Sequence, residues 1–461
     1  MSTYRGFVRN DRKDSISQSM MYNYRHLSGF HICFIAKPGF VRKFAAFGIP
    51  YGSADLRFTS EADFKREWEA KRQGEAADPP MTVHEVPAGS AHYLEHCLFS
   101  QDDEGGLMGQ FAKLGATANA YTTESETVYY FTCVDRFEES LDLYFQALLK
   151  PDLSQERIEN EREIIAAELD MYEDDPDSVA MRQILAQLYQ EHGLKYDVAG
   201  SKESINEITA EKLTDIVQYF YTPAAMKLVI VGDFPDDKMR EIIDYFADIL
   251  DEMDITAAGV NLYADEPAQV KLPTDVLRLD LENEAFLIAF KNSHVNREHS
   301  TNGTQWAWMQ AAGQLYSDAL IGETSPLYQE LYDAGIINDS FDVHFAVGHD
   351  YNYILMSGEA EHPEKAAEEI ARRFKAAVAG DQLDRTVFEI QKKALHGDFV
   401  RSLDSIESSG MAALEARLFD CDLFDHAAIF GRLNAEECAN SMKFVLDEGS
   451  MAKLIMRKRG I

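Results

Sequence analysis

The sequence predicts an α+β protein built from two homologous α/β-sandwich domains of about 200 residues each. Three observations point there. The chain has 461 residues, more than a single hydrophobic core serves. Short apolar runs with strand character alternate with longer amphipathic stretches. A helix, a glycine and two strands occur twice, as Met108–Gly115 before 117–134 and as Tyr328–Gly335 before 341–356. The first domain is expected over 1–235, a linker over 236–273, and the second domain over 274–461.

Taken in order, 30–36 and 43–49 are apolar runs joined through the turn signal Lys37-Pro38-Gly39 and read as strands. The polar stretch 59–80, closed by Pro79-Pro80, reads as an exposed insertion with some helix. Helices follow near 90–100 and over 107–114, then strands over 117–123 and 127–134. In the last of these, Val128, Tyr130, Thr132 and Val134 alternate with Tyr129, Phe131 and Cys133, bulk on both sides, as in a strand covered on both faces. Helices at 136–149 and 155–173 and a strand at 226–232 complete the first domain. From 236 a helix runs into a connector that ends at Pro273. The pattern then restarts: 276–281 and 285–291 as a strand pair, helices at 305–321 and 325–334, strands at 341–347 and 351–356, and an acidic helix at 363–379.

Composition narrows the function classes. Hydrophobic residues at 46% and charged residues at 27% describe a globular chain, not a disordered one. The net charge of −35 argues against nucleic acid and anionic membranes as partners. It suits a basic peptide, or simply a soluble surface. Cys33, Cys97, Cys133, Cys421 and Cys438 are odd in number and form no C-x-x-C pair, which fits free thiols in a reducing compartment. No apolar leader and no membrane-length apolar run is visible, so a cytoplasmic location is expected.

The chemistry-bearing signal is His92-Tyr-Leu-Glu95-His96. On a helix, His92 and His96 stand one turn apart on one face, a spacing that can bind Zn²⁺, with Glu95 beside them to hold the attacking water. Ser90 is a candidate N-cap. Taken alone, the pattern equally describes a solvent-facing polar turn. The helix after Ser154 adds weight. Ile158, Ile164, Ile165, Leu169 and Tyr172 define its apolar arc, and Glu161 and Glu168 fall near the middle of it. Carboxylates on a core-facing stripe are costly unless paired or metal-bound. Glu168 can complete a His₂Glu site with an open fourth position, and Glu161 can hold a ligating histidine by its other nitrogen. Glu163 and Asp170 are the alternative third ligands.

These residues resemble the pitrilysin/insulinase family, the inverzincins, marked by H-x-x-E-H and a distant E-x(6)-E, here Glu161 to Glu168. Gly115–Thr123, Asp197–Ser201 with Glu203–Ile205, Tyr221–Met226 and Val231–Asp233 share the likeness, which spans nearly the whole chain and is closest to short, two-domain members. The resemblance implies a zinc endopeptidase or oligopeptidase with one Zn²⁺ per chain, Glu95 and Glu161 as catalytic-site residues, and a chain forming half of a clamshell-like dimeric chamber. It also implies that the strand holding Asn119, Ala120 and Tyr121 takes the substrate by β-addition, although an ordinary buried hairpin fits the same residues.

The chain departs from that family in two places. The second-half counterpart of the metal helix, Gln305–Ala312, carries no ligand set. Where family members present an Arg and a Tyr that hold the scissile carbonyl, this chain has Tyr332 and then Asn338 or Asp339. A heterodimer with a zinc-less homologue supplying that pair is therefore expected, a homodimer being the rival. The alternative function is a non-catalytic structural subunit of a processing-peptidase-like complex.

Overall fold

A computed structural model describes residues 3–14, 19–99, 106–253, 258–295 and 303–459. The chain opens with β1 (Thr3–Tyr4), β2 (Phe7–Lys13), β3 (Met20–His26), β4 (His31–Ala36), β5 (Lys43–Ile49) and β6 (Arg57–Ser60). Next come α1 (Glu61–Gln73), β7 (His84–Glu85), α2 (Ser90–Phe99), α3 (Leu107–Lys113), β8 (Thr117–Thr122) and β9 (Thr127–Cys133). Then follow α4 (Phe137–Leu149), α5 (Gln155–Asp174), α6 (Pro176–Leu188), α7 (Lys202–Asn206), α8 (Ala210–Phe220), β10 (Lys227–Gly232), α9 (Asp236–Glu252) and β11 (Gly259–Asn261). The rest is β12 (Thr274–Leu279), β13 (Ala285–Lys291), α10 (Gly303–Ile321), α11 (Pro326–Asp333), β14 (Asp342–Val347), β15 (Asn352–Glu359), α12 (Pro363–Ala379), α13 (Arg385–Ser402), α14 (Ile406–Leu418), α15 (Leu423–Arg432), α16 (Ala435–Ser441) and β16 (Met451–Lys458). Among the described residues no helix is long and apolar enough to cross a membrane.

The first sheet has the order β1-β2-β3-β4-β10-β5-β9-β8. Its middle strands are apolar because both faces are covered, and Ile32–Ile35, Phe44–Phe47 and Leu228–Val231 are all buried. On one face Phe30 and Phe47 pack on Phe145 of α4, and Phe30 also meets Phe246 of α9. The other face receives α14. A Cβ on Gly410 would stand 2.3 Å from the Phe44 ring, and one on Gly48 would stand 2.8 Å from Leu418, so glycine is what lets helix and sheet meet.

The second sheet, β12-β16-β13-β15-β14, repeats the plan of β4-β10-β5-β9-β8. In both, the first pair is parallel and the next three are antiparallel. The helix before each outer hairpin also ends alike. Gly115 and Gly335 take positive φ of 71° and 66°. The next residue donates back to the matching carbonyl, Ala116 to Phe111 and Ile336 to Leu331, both at 3.0 Å. The duplicated α+β architecture is thus present in both topology and local geometry.

Three expectations change. Residues 276–281 and 285–291 are not a strand pair: β16, from the far end of the chain, lies between β12 and β13. The compact units are also discontinuous. One comprises Met1–Ala167, Asp197–Leu262 and Val400–Leu418, and the other Glu168–Tyr196, Tyr263–Phe399 and Phe419–Ile461. Each half of the sequence therefore lends helices to the other unit, α6 in one direction and α14 in the other. Within 236–273, α9 belongs to the first unit because Met239, Ile242, Ile243, Phe246 and Leu250 bury one face. Beyond it Gly259–Asn261 form β11 and pair with β6, and 262–273 carry no helix or strand, as expected of a linker. Finally, Ile164 is exposed, since the buried stripe of α5 runs through Ile158, Glu161, Ile165 and Leu169.

Candidate metal centre

Helix α2 begins where two loops meet. Gly89 has φ of 87°, and a Cβ there would stand 2.5 Å from the Ala199 carbonyl. Gly200 approaches the Ala88 carbonyl equally closely, and Ser204 donates to that carbonyl at 2.8 Å. The Asp197–Ser201 stretch therefore backs the start of the metal helix. Ser90 does not act through its hydroxyl as an N-cap. That hydroxyl donates to the Pro87 carbonyl at 2.7 Å instead. Tyr93 reaches across to the Ile158 carbonyl of α5 and ties the two helices together. Arg162 secures α5 further by donating to the carbonyls of Ile205 and Ile208 at 3.3 and 3.0 Å.

On this frame the structure brings His92, His96 and Glu168 together, with one ligand atom of each within 4.8 Å of the others. Among the described residues it is the only such group. The division between the two compact units falls inside α5, whose continuous backbone carries Glu168. A point no farther than about 2.8 Å from all three atoms exists at that spacing, so sub-ångström adjustments reach zinc bond lengths of roughly 2.0–2.2 Å. Two imidazoles and a carboxylate with a remaining open side are the donor set that zinc takes. The residues present fit that metal. Glu163 and Asp170, the alternative ligands, are exposed and outside the group.

Neighbouring residues orient the ligands. Glu161, 3% exposed, lies 3.5 Å from His96 Nδ1 and 3.6 Å from Arg157. It lies against a candidate ligand. Tyr172 donates to Glu168 Oε1 at 2.5 Å from one turn along α5. Glu95 is buried, and Thr122, the last residue of β8, donates to its Oε2 at 2.6 Å. Behind Glu95, the hydroxyls of Tyr129 and Tyr221 stand 2.9 Å apart. Burial above all, then neighbouring groups that include Glu95, keep the phenols of Tyr129, Tyr144 and Tyr221 neutral by raising them far above their ordinary values. Burial and then Glu161 push the Cys97 thiol up to about 12, so it stands beside the ligands as a thiol.

Asn119, Ala120 and Tyr121 lie on β8, the last strand of the first sheet. Tyr144 donates to the Asn119 carbonyl at 2.9 Å, and the Asn119 amide donates to Tyr130 at 3.2 Å. The sequence reading did not find Thr122 or Arg157 as site residues. It counted Tyr172 as part of the apolar arc, not as a donor. The i,i+4 spacing of Glu168 and Tyr172 was the available signal for it. Thr122 had a weaker one, its even-numbered place with Ala118 and Ala120 along β8.

Comparison with known proteins gives the family. Residues 83–202 match the insulinase family of peptidases, M16, and residues 207–395 match the M16 inactive domain. The chain belongs to peptidase family M16. An M16-like peptidase from Alicyclobacillus acidocaldarius superposes with a TM-score of 0.82 at 26% identity, covering 100% of both chains. The M16 chain is also similar to a Bacillus subtilis (strain 168) protein named uncharacterized zinc protease YmfH, at 27% identity over 434 residues, 92% of this chain and 93% of the relative. The mitochondrial-processing peptidase subunit beta of Neurospora crassa is 28% identical over 177 residues, 37% of each chain.

Proposed function

We propose that this M16 chain is a zinc-dependent peptidase acting on unstructured peptides, with one Zn²⁺ held by His92, His96 and Glu168 and with Glu95 as general base. One observation carries the reading. The three ligand atoms converge within 4.8 Å while Glu95, on the same helix as two of them, is held at 2.6 Å by the strand that would carry the peptide. Zinc, when bound, supplies Lewis acidity toward the scissile carbonyl. Glu95 takes a proton from the attacking water and passes it to the leaving amine. Thr122 donates to Glu95 Oε2 and so fixes the carboxylate that takes that proton. Glu161 sets the ring of His96, and Tyr172 sets the carboxylate of Glu168. As the outer strand of its sheet, β8 can receive an extended peptide through main-chain hydrogen bonds, which makes the affinity tolerant of sequence. Asn119, Ala120 and Tyr121 would line that peptide. A reducing, cytoplasmic setting suits the five free, buried cysteines.

A second chain of similar fold is part of the proposal. In the second unit Tyr332 is 43% exposed at the end of α11, while Asn338 spends its amide on the Glu359 carbonyl and its oxygen on Ser340. Together they do not reproduce the Arg/Tyr pair that the resembled family presents to the scissile carbonyl. A zinc-less homologue carrying an Arg/Tyr pair would supply it, and the beta subunits among the relatives are by name members of assemblies. The match to an inactive domain favours one rival, a structural subunit.

The test is zinc content together with cleavage of unstructured peptides, by the chain alone and with such a homologue, before and after chelation. Stoichiometric zinc and chelator-sensitive cleavage that rises on adding the homologue are expected. Cleavage that survives complete metal removal would sink the zinc mechanism. Rapid cleavage by the lone chain would sink the need for a partner.

A further inference from the structure

The register of β8 sorts its side chains onto two faces. Thr122 pairs with Thr127 and Ala120 with Tyr129, and these face α2, as the bond from Thr122 to Glu95 shows. Tyr121 pairs with Val128 and Asn119 with Tyr130, on the opposite face, where α14 packs. Glu126 enters β9 on that same side, its carbonyl accepting from the Thr123 amide at 2.8 Å.

Glu126 is only 7% exposed, and its Oε2 is buried without a hydrogen-bond partner. The groups around it are Tyr121 of β8, Glu124 of the hairpin turn and Glu415 of α14. Burial first, then Glu415 and Glu124, push its carboxyl up to about 8. A buried carboxyl that makes no hydrogen bond through one oxygen and faces other acids is complemented by a cation. Tyr121, 37% exposed, offers a ring face over which a guanidinium can lie.

We propose that Tyr121, Glu126 and Glu415 form a subsite for one basic side chain of a peptide lying along the outer edge of β8. It rests on the reading of β8 as the peptide-binding strand. Side chains of an added strand share a face with the residues opposite them, so every second peptide residue projects to the Tyr121 side and the others to the side of Glu95. An arginine on the former side meets two carboxyl groups and an aromatic ring. The net charge of −35 draws such peptides in.

The test is binding, which does not require turnover. Zinc-loaded full-length protein carrying Glu95→Gln is titrated with short fluorescent peptides in which one arginine is walked through a norleucine-containing sequence. At one or two positions of a single parity, arginine is expected to tighten binding about tenfold over norleucine, the gain of one good charge-assisted contact. Adding Glu126→Gln should bring that ratio below about threefold, and adding Glu415→Gln, at a more exposed position, should do the same if the first variant folds poorly. Between pH 7 and pH 9 the ratio should rise as Glu126 ionises without help. An equal gain at every position, a gain that survives both substitutions, or no peptide binding would each overturn the subsite. Cleavage of the same peptides by the wild-type protein, with the Arg/Tyr-bearing homologue present, reports separately on the peptidase reading. Cleavage without a positional arginine preference keeps that reading and rejects the subsite, and a positional preference without cleavage does the reverse.

Discussion

Replacing Tyr172 by phenylalanine removes one oxygen from the surroundings of the metal ligands and leaves the ring. In the structure that oxygen donates to Glu168 Oε1 at 2.5 Å, from the next turn of the same helix. A hydrogen bond to a charged acceptor contributes about 1.5–3 kcal/mol, equivalent to roughly 10- to 150-fold in a binding constant. Ligand-orienting contacts of this kind affect metal affinity by roughly 10- to 100-fold. Tyr172→Phe should therefore weaken zinc binding by about one to two orders of magnitude. Competition against a chelator of known affinity reads this directly. The metal-free protein should melt within about a degree or two of wild type, because the ring that packs along α5 is retained. Zinc affinity within about threefold of wild type would refute the claim that Tyr172 sets the Glu168 carboxylate.

Three further outcomes follow from other contacts. Thr122→Val removes the donor to Glu95 and should lower kcat by roughly 10-fold or more with KM little changed, read by steady-state peptide cleavage. Lys291→Met removes the fully buried partner of Glu266, 2.6 Å away in the second unit, and should cost about 3 kcal/mol in denaturant unfolding. The Glu266 carboxylate would still accept from the backbone of Gln190, Glu191 and His192, which limits the loss. Glu126→Gln tests the raised carboxyl. A group raised from 4.5 to about 8 holds its proton in the folded state, so stability falls as pH rises through that window, by about 1.4 kcal/mol per pH unit. The variant lacks this slope, and its melting temperature should gain on wild type steadily between pH 5 and pH 8.

Much of the site was legible because its signals are local. His92, Glu95 and His96 lie within two helical turns, and the spacing of Glu161 and Glu168 on α5 put carboxylates where only a partner or a metal makes burial tolerable. The buried stripe through Ile158, Ile165 and Leu169 matched the period of 3.6, whereas Ile164 fell off it by a quarter turn. What escaped needed tertiary knowledge. The bond from Thr122 to Glu95 depends on β8 passing beside α2. The insertion of β16 between β12 and β13 joins residues from opposite ends of the second half, which no local pattern encodes. Strands β2 and β3 carry no apolar alternation to mark them, Arg9, Asn10, Asp11 and Arg12 being polar in a row, although β3 buries Met21, Asn23 and Tyr24. The packing of α14 on the first sheet left one trace, Gly410 inside a helix, whose reason is the Phe44 ring at 2.3 Å from any Cβ there.

The central claim is that Glu95 is the base of a zinc peptidase whose metal it does not itself hold. The most direct measurement is zinc content and peptide turnover on the same preparation of wild type and Glu95→Gln, each with its activating partner present. The amide preserves the shape of the side chain and can still meet Thr122, but it cannot take a proton. The variant is expected to retain one zinc per chain and the wild-type melting temperature, while turnover drops by about 10²- to 10⁴-fold. Turnover near wild type in a zinc-replete Glu95→Gln protein would contradict the account.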